Sequence, residues 1–267
     1  MRKVLLSALS MLMVLGIASV SFAFTTGNNI TVSDGWSNTT SWHGTNEDQE
    51  VEPPDLAGQA WDLEAFYLKG SKLSLVGGFD FRNGVYSSGW NKTFKSGDIF
   101  FGTNGDVKYG TDLYAPTARG EYNQKNVYGY NYALQLNFTN NTYDVYSIDA
   151  NSDLTTAYFR ENDPSNPWKY ASGGAKLGTY AFNYETGLTD SQVGGLLGGA
   201  HNAITLGDIS FIGNNKDFTV HFTEECGNDN IMGKGTLKVP EPSTMLLLGF
   251  GLFGLAGIRF SRRAGKY

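Results

Sequence analysis

The chain has 267 residues and a formal charge of −6; it is 40% hydrophobic and 14% aromatic, with 34 Gly and a single Cys. That aromatic supply, with only 17% charged residues, excludes intrinsic disorder and long charged coiled coils, while one Cys excludes an intrachain disulfide framework or a multi-cysteine zinc site. The acidic balance offers no basic footprint for a phosphate backbone, so no nucleic acid is expected as a partner.

Reading from the N-terminus, Arg2 and Lys3 precede an apolar run over residues 4–20, and Ser21-Phe22-Ala23 sets small residues at the −3 and −1 positions of a cleavage site. Residues 1–23 are therefore expected to be a secretory signal peptide, removed by signal peptidase before Phe24. The mature chain then works outside the cytoplasm. With the 2 basic residues of the leader and the 4 of the C-terminal tail set aside, 14 Lys/Arg stand against 25 Asp/Glu in residues 24–239, a net charge of −11. Such a surface favours cations or neutral partners, and it disfavours acidic polysaccharides unless a divalent ion bridges them.

An irregular stretch over residues 25–58 comes first. Residues 60–68, a Lys69-Gly70-Ser71 turn and residues 72–78 then read as a hairpin. A short strand follows at 98–101. Tyr132, Leu134, Leu136 and Phe138 alternate with Ala133, Gln135 and Asn137, and Thr139-Asn140-Asn141-Thr142 supplies a turn into a partner strand at 143–148. Residues 177–184 and 202–209 add further strands, with a helix expected between them over 189–197, capped by Thr189 or Asp190. Phe218, Val220 and Phe222 alternate with Thr219, His221 and Thr223 in a last long strand. Many short strands and almost no helix predict an all-β ectodomain, a β-sandwich or jelly roll, in one domain over residues 24–239.

Asp62 and Glu64 are separated by one residue, so in a strand both carboxylates leave the same face. Paired carboxylates serve glycosidases, they coordinate calcium, and they also occur on solvated strand faces; Phe66 stands where a third acid would follow. Asp98 and Asp208 recur in a short echo, Gly97-Asp98-Ile99 and Gly207-Asp208-Ile209, and join Asp62 and Glu64 as candidate ligand or calcium residues. His221, Cys226 and Asp229 form an unusual run, but Glu224 and Glu225 beside the thiol raise its pKa, which favours a buried corner residue over a nucleophile or metal ligand. The Asn- and Asp-rich turns lack the spacing of a twelve-residue calcium loop. No catalytic residue and no cofactor are expected, calcium being the one candidate ion.

The tail is the most specific segment. Val239-Pro240-Glu241-Pro242-Ser243 precedes an apolar stretch over residues 244–260 and the cluster Arg259, Arg262, Arg263 and Lys266. Seventeen residues give roughly 25 Å of helix, short but sufficient for a transmembrane span, with the basic cluster on the cytoplasmic side. Pro240 and Pro242 hold Glu241 in an extended segment outside the lipid. This order resembles the PEP-CTERM sorting signal of Gram-negative bacteria. The resemblance implies recognition of residues 240–267 by exosortase, a membrane cysteine protease, a transient stay in the inner membrane, and association with exopolysaccharide and biofilm. The run from Trp61 to Tyr67 and the run from His221 to Asp229 are also similar to a recurrent ectodomain type among exosortase-dependent surface proteins, which implies a non-enzymatic surface domain. A calcium-assisted carbohydrate-binding module and a polysaccharide hydrolase remain the competing readings of the ectodomain.

Overall fold

A computed structural model of the protein describes residues 23–32, 47–49, 51, 58–108, 119–159 and 166–238. In chain order the strands are β1 (Asn28–Asn29), β2 (Thr31–Val32), β3 (Leu63–Lys69), β4 (Lys72–Gly77), β5 (Val85–Ser87), β6 (Lys92–Phe94), β7 (Ile99–Gly102), β8 (Gly120–Lys125), β9 (Tyr132–Asn137), β10 (Thr142–Ser147), β11 (Asp153–Tyr158), β12 (Lys169–Ser172), β13 (Ala175–Leu188), β14 (His201–Leu206), β15 (Lys216–Thr223) and β16 (Asn230–Leu237). The chain is all-β; among the described residues its helical content is short 3-10 turns such as Gln59–Trp61 and Ser210–Ile212.

Local chemistry sets the hairpins. Asn141 takes a positive φ of 53° between β9 and β10, and the register Thr142↔Asn137 to Ser147↔Tyr132 follows from that tight turn. Gly70 does the same between β3 and β4 at φ 62°. The period of two seen in the sequence then sorts the side chains: Val220 and Phe222 enter the main core, whereas His221 between them faces the other way.

Eleven strands form one sheet in the order β1-β3-β4-β14-β13-β10-β9-β7-β15-β16-β2. Its two edge strands are consecutive pieces of a single segment. Ile30 between them donates to Phe66 O at 2.9 Å on one side and accepts from Lys234 N at 2.8 Å on the other, and Thr31 Oγ1 accepts from Phe66 N at 2.9 Å. The segment thus stitches both edges together and all but closes the sheet into a barrel, which removes exposed edges. The 14-residue β13 pairs with β10 through its first half and with β14 through its second, the stagger that tilted barrel strands require. Just before the closing segment, a Cβ on Gly27 would lie 2.5 Å from Leu68 O, so only glycine permits this approach.

Phe66, Phe79, Phe81, Phe94, Phe101 and Phe222 are fully buried in the interior. Several meet edge to face, as Phe81 does with Phe222 at 5.5 Å and Phe94 with Phe159 at 5.0 Å, each such pair contributing about 0.5–1.5 kcal/mol beyond area burial.

Two expectations change. The β-rich domain is not built as two facing sheets, because the polar segment at 28–32 joins the edges that a sandwich would leave apart. Residues 189–197 form turns rather than a helix, since Gly194, Gly195, Gly198 and Gly199 all sit at positive φ, a conformation that ends helices.

Two covers lie on the outside of the sheet. A three-stranded sheet, β12-β11-β8, buries Phe100, Tyr128, Tyr130, Ala133, Ile148, Leu154 and Tyr170 in a second cluster. Elsewhere the glycine-rich segment 189–200 folds over β3, β4 and β14 around Ala65, Tyr67, Val76, Val193, Leu196 and Ala203.

Candidate functional site

The carboxylates gather at one end of the glycine-rich cover. The register between β3 and β4 slips between Leu63 and Ala65, a bulge that sends Leu63 and Phe66 into the barrel while Ala65 and Tyr67 face outward. Glu64 lies in that bulge, where His201 at the start of β14 reaches it. His201 Nδ1 is 2.8 and 2.7 Å from the two Glu64 oxygens, and its Nε2 is 2.9 Å from Asp190 Oδ1. Gln59 Nε2 also donates to Glu64 Oε1, at 2.5 Å. The side chains of Glu64 and His201 are both fully buried.

Two loops close the arrangement. Leu197 N donates to both oxygens of Asp48, at 3.1 and 3.2 Å, Gly199 N donates to Asp190 Oδ1 at 2.8 Å, and Gln49 N donates to Asp62 Oδ2 at 3.1 Å. Asp48, Asp62 and Glu64 each place a carboxylate oxygen within 4.8 Å of the others, the one grouping among the described residues able to hold a metal ion.

The electrostatics follow from burial. Burial pushes Glu64 above the usual carboxylate range, although hydrogen bonds from His201 and Gln59 pull it back. His201 is held above its ordinary value: burial pulls it down, but its bonds to Glu64 and Asp190 outweigh that. Asp190 is lowered by its bond to His201, and burial raises Asp48. One histidine stands among four carboxylates, and a divalent cation would offset part of their negative charge. A polymeric substrate reaching Glu64 would have to displace segment 189–200.

The remaining sequence candidates lie elsewhere. Asp98 accepts backbone N–H bonds from Leu136 and Tyr170, both at 3.0 Å, and so ties β9 to β12; burial raises its pKa to about 6. Asp208 accepts from Ser210 N at 2.9 Å and Ser210 Oγ at 2.8 Å, in a turn. His221 is buried against Phe100 and Tyr130, its ring nitrogens 3.0 Å from Met232 Sδ and Pro167 O. Asp229 Oδ2 accepts from Leu63 N at 2.6 Å, and Cys226 packs half-buried against the main core. The sorting residues Pro240, Glu241, Pro242, Arg259, Arg262 and Arg263, the expected span 244–260 and residues 1–22 of the leader lie outside the described residues. Among the described residues no helix is long and apolar enough to cross a membrane.

Sequence reasoning placed Asp62 and Glu64 on one face but missed Asp48, Gln59, Asp190 and His201. A second surface feature is an open groove of about 690 Å³ where β16 ends, lined among others by Asn104, Lys216, Asp217, Lys234 and Thr236.

Comparison with known proteins bears on the tail. Residues 238–263 match the family model of the PEP-CTERM protein-sorting motif. The chain carries that sorting signal. The motif implies an exported protein processed by exosortase, a membrane protein, and directed to the surface. No curated protein and no solved structure matched the chain.

Proposed function

We propose that the chain is a non-enzymatic surface or extracellular-matrix protein, with the barrel as cargo and the tail as address, working within the exopolysaccharide layer of a biofilm. The match at residues 238–263 carries the reading. Two further features support it: β16 ends at Leu237, directly before the Pro240-Glu241-Pro242 address, and the net charge of −11 on residues 24–239 keeps an exported barrel soluble. In this reading residues 1–23 direct export, residues 244–260 hold the precursor in the inner membrane, and Arg259, Arg262 and Arg263 fix its orientation. Replacing Pro240, Glu241 and Pro242 with alanine is expected to leave uncleaved precursor in the inner-membrane fraction; normal surface delivery of that variant would sink the proposal.

The grouping of Asp48, Asp62 and Glu64 favours a second reading of the cargo, a calcium-assisted carbohydrate-binding module. Calcium at about 100 times its Kd would then add about 2.7 kcal/mol of stability, and glycan binding would vanish with chelator and in Asp48→Asn. Binding unaffected by either change removes calcium from the account.

A further inference from the structure

The surroundings of Phe24 are built like a seat for a free amino terminus. Phe24 N lies 2.9 Å from Glu185 Oε1, and the same oxygen accepts from Asn183 Nδ2 at 2.7 Å. The Phe24 ring packs edge to face on Tyr67, with centroids 6.0 Å apart, and joins the outer cluster under the glycine-rich cover. Tyr67 is itself fixed by its hydroxyl, which donates to Val193 O at 2.8 Å. Ala23, one residue earlier, is exposed. A half-buried ring packed beside a carboxylate, with an exposed alanine immediately before it, is an unusual way to treat an ordinary backbone amide.

We infer that Glu185 is the docking site for the α-ammonium group of a mature chain that begins at Phe24. The inference rests on the export reading of the leader and not on the C-terminal signal. Signal peptidase hydrolyses the Ala23–Phe24 amide with water: the C–N bond breaks, the new C–O bond leaves a carboxylate on Ala23, and the amine on Phe24 takes up a proton. In the precursor Glu185 receives one uncharged amide N–H; after cleavage the donor carries a full positive charge, so an ion pair is added to the hydrogen bond. The gain falls on the element that needs it. Phe24 lies four residues before β1, the first piece of the segment that stitches β3 to β16, so removal of the leader fastens the closing segment at its free end.

The consequence is readable on the exported protein. Its N-terminal residue is expected to be Phe24, and at pH 7 its α-amine is expected to react with an acylating reagent about tenfold more slowly than in Glu185→Gln, the change in free amine that one pKa unit produces. A second variant leaves Glu185 intact and inserts one alanine between Ala23 and Phe24, moving the new amine one residue away; it is expected to react at the Glu185→Gln rate. A first residue other than Phe24, or equal rates in all three proteins, overturns the inference. Neither result depends on the tail, so failure here is distinguishable from failure of the sorting proposal.

Discussion

The two covers on the outside of the barrel treat carboxylates in opposite ways. Beneath the three-stranded sheet the surroundings are aromatic, with Tyr146 stacked on Tyr170 at 4.4 Å and Phe100 beside Tyr130 at 5.4 Å. There Asp98 spends both oxygens on backbone N–H groups of the barrel and of the cover, which makes it a staple. Beneath the glycine-rich cover the apolar contacts are smaller, and Glu64, Asp62 and Asp48 face one another with His201 and Asp190 alongside. Burial raises both Asp98 and Glu64; what differs is whether the donors are fixed amides or other titrating groups. Asp98 stands alone and its backbone bonds hold structure together, while Asp48, Asp62 and Glu64 crowd within 4.8 Å of one another and have capacity for a cation.

The largest expected effect breaks the charged side of this contrast. His201→Ala leaves Glu64 buried without its cationic partner and is expected to cost about 3–5 kcal/mol in urea unfolding at pH 7; a loss below about 1 kcal/mol would mean the pair is not formed. The aromatic side is probed by Asp98→Asn, whose amide group faces one of two backbone donors and is expected to cost about 1–3 kcal/mol. Its pH signature is sharper than its size. In the unfolded chain an aspartate titrates near about 3.9, and folded Asp98 titrates at about 6, so the folded state holds the proton more tightly. The stabilising share of this group is complete below about pH 4 and is lost as pH rises through about 6, roughly 3 kcal/mol for about two units. Asp98→Asn should flatten that part of the stability curve, and an unchanged slope would assign it to other groups. The smallest effect is at Lys92, which bridges Glu121 at 3.3 Å and Glu225 at 2.5 Å near the surface. Lys92→Ala is expected to cost about 0.5–1 kcal/mol and to lose even that in high salt.

Much of the strand content was legible because period-two runs bury one face: residues 132–138, 143–148 and 218–223 all appear as strands near the expected bounds. The turn at Lys69-Gly70-Ser71 was legible for the same local reason. Barrel closure was not. The closing segment, Asn28 to Val32, is short and mostly polar, and its identity as a strand comes from pairing with Leu68 and Met232, partners that no local pattern announces. No helix forms at 189–197, because the paired glycines Gly194 and Gly195 at positive φ override the capping residues at its start. Half of the carboxylate cluster was visible as Asp62 and Glu64, two neighbours in sequence. His201 was not, since it meets Glu64 across 137 positions, and only the register of β14 on β4 brings them together.

The proposed function requires the tail to be an address and not a permanent part of the exported protein. The direct measurement is the intact mass of the protein recovered from outside the cell. A mass lacking the apolar stretch and the basic residues Arg259, Arg262 and Arg263 is the predicted result; a mass that extends to Tyr267 would contradict it.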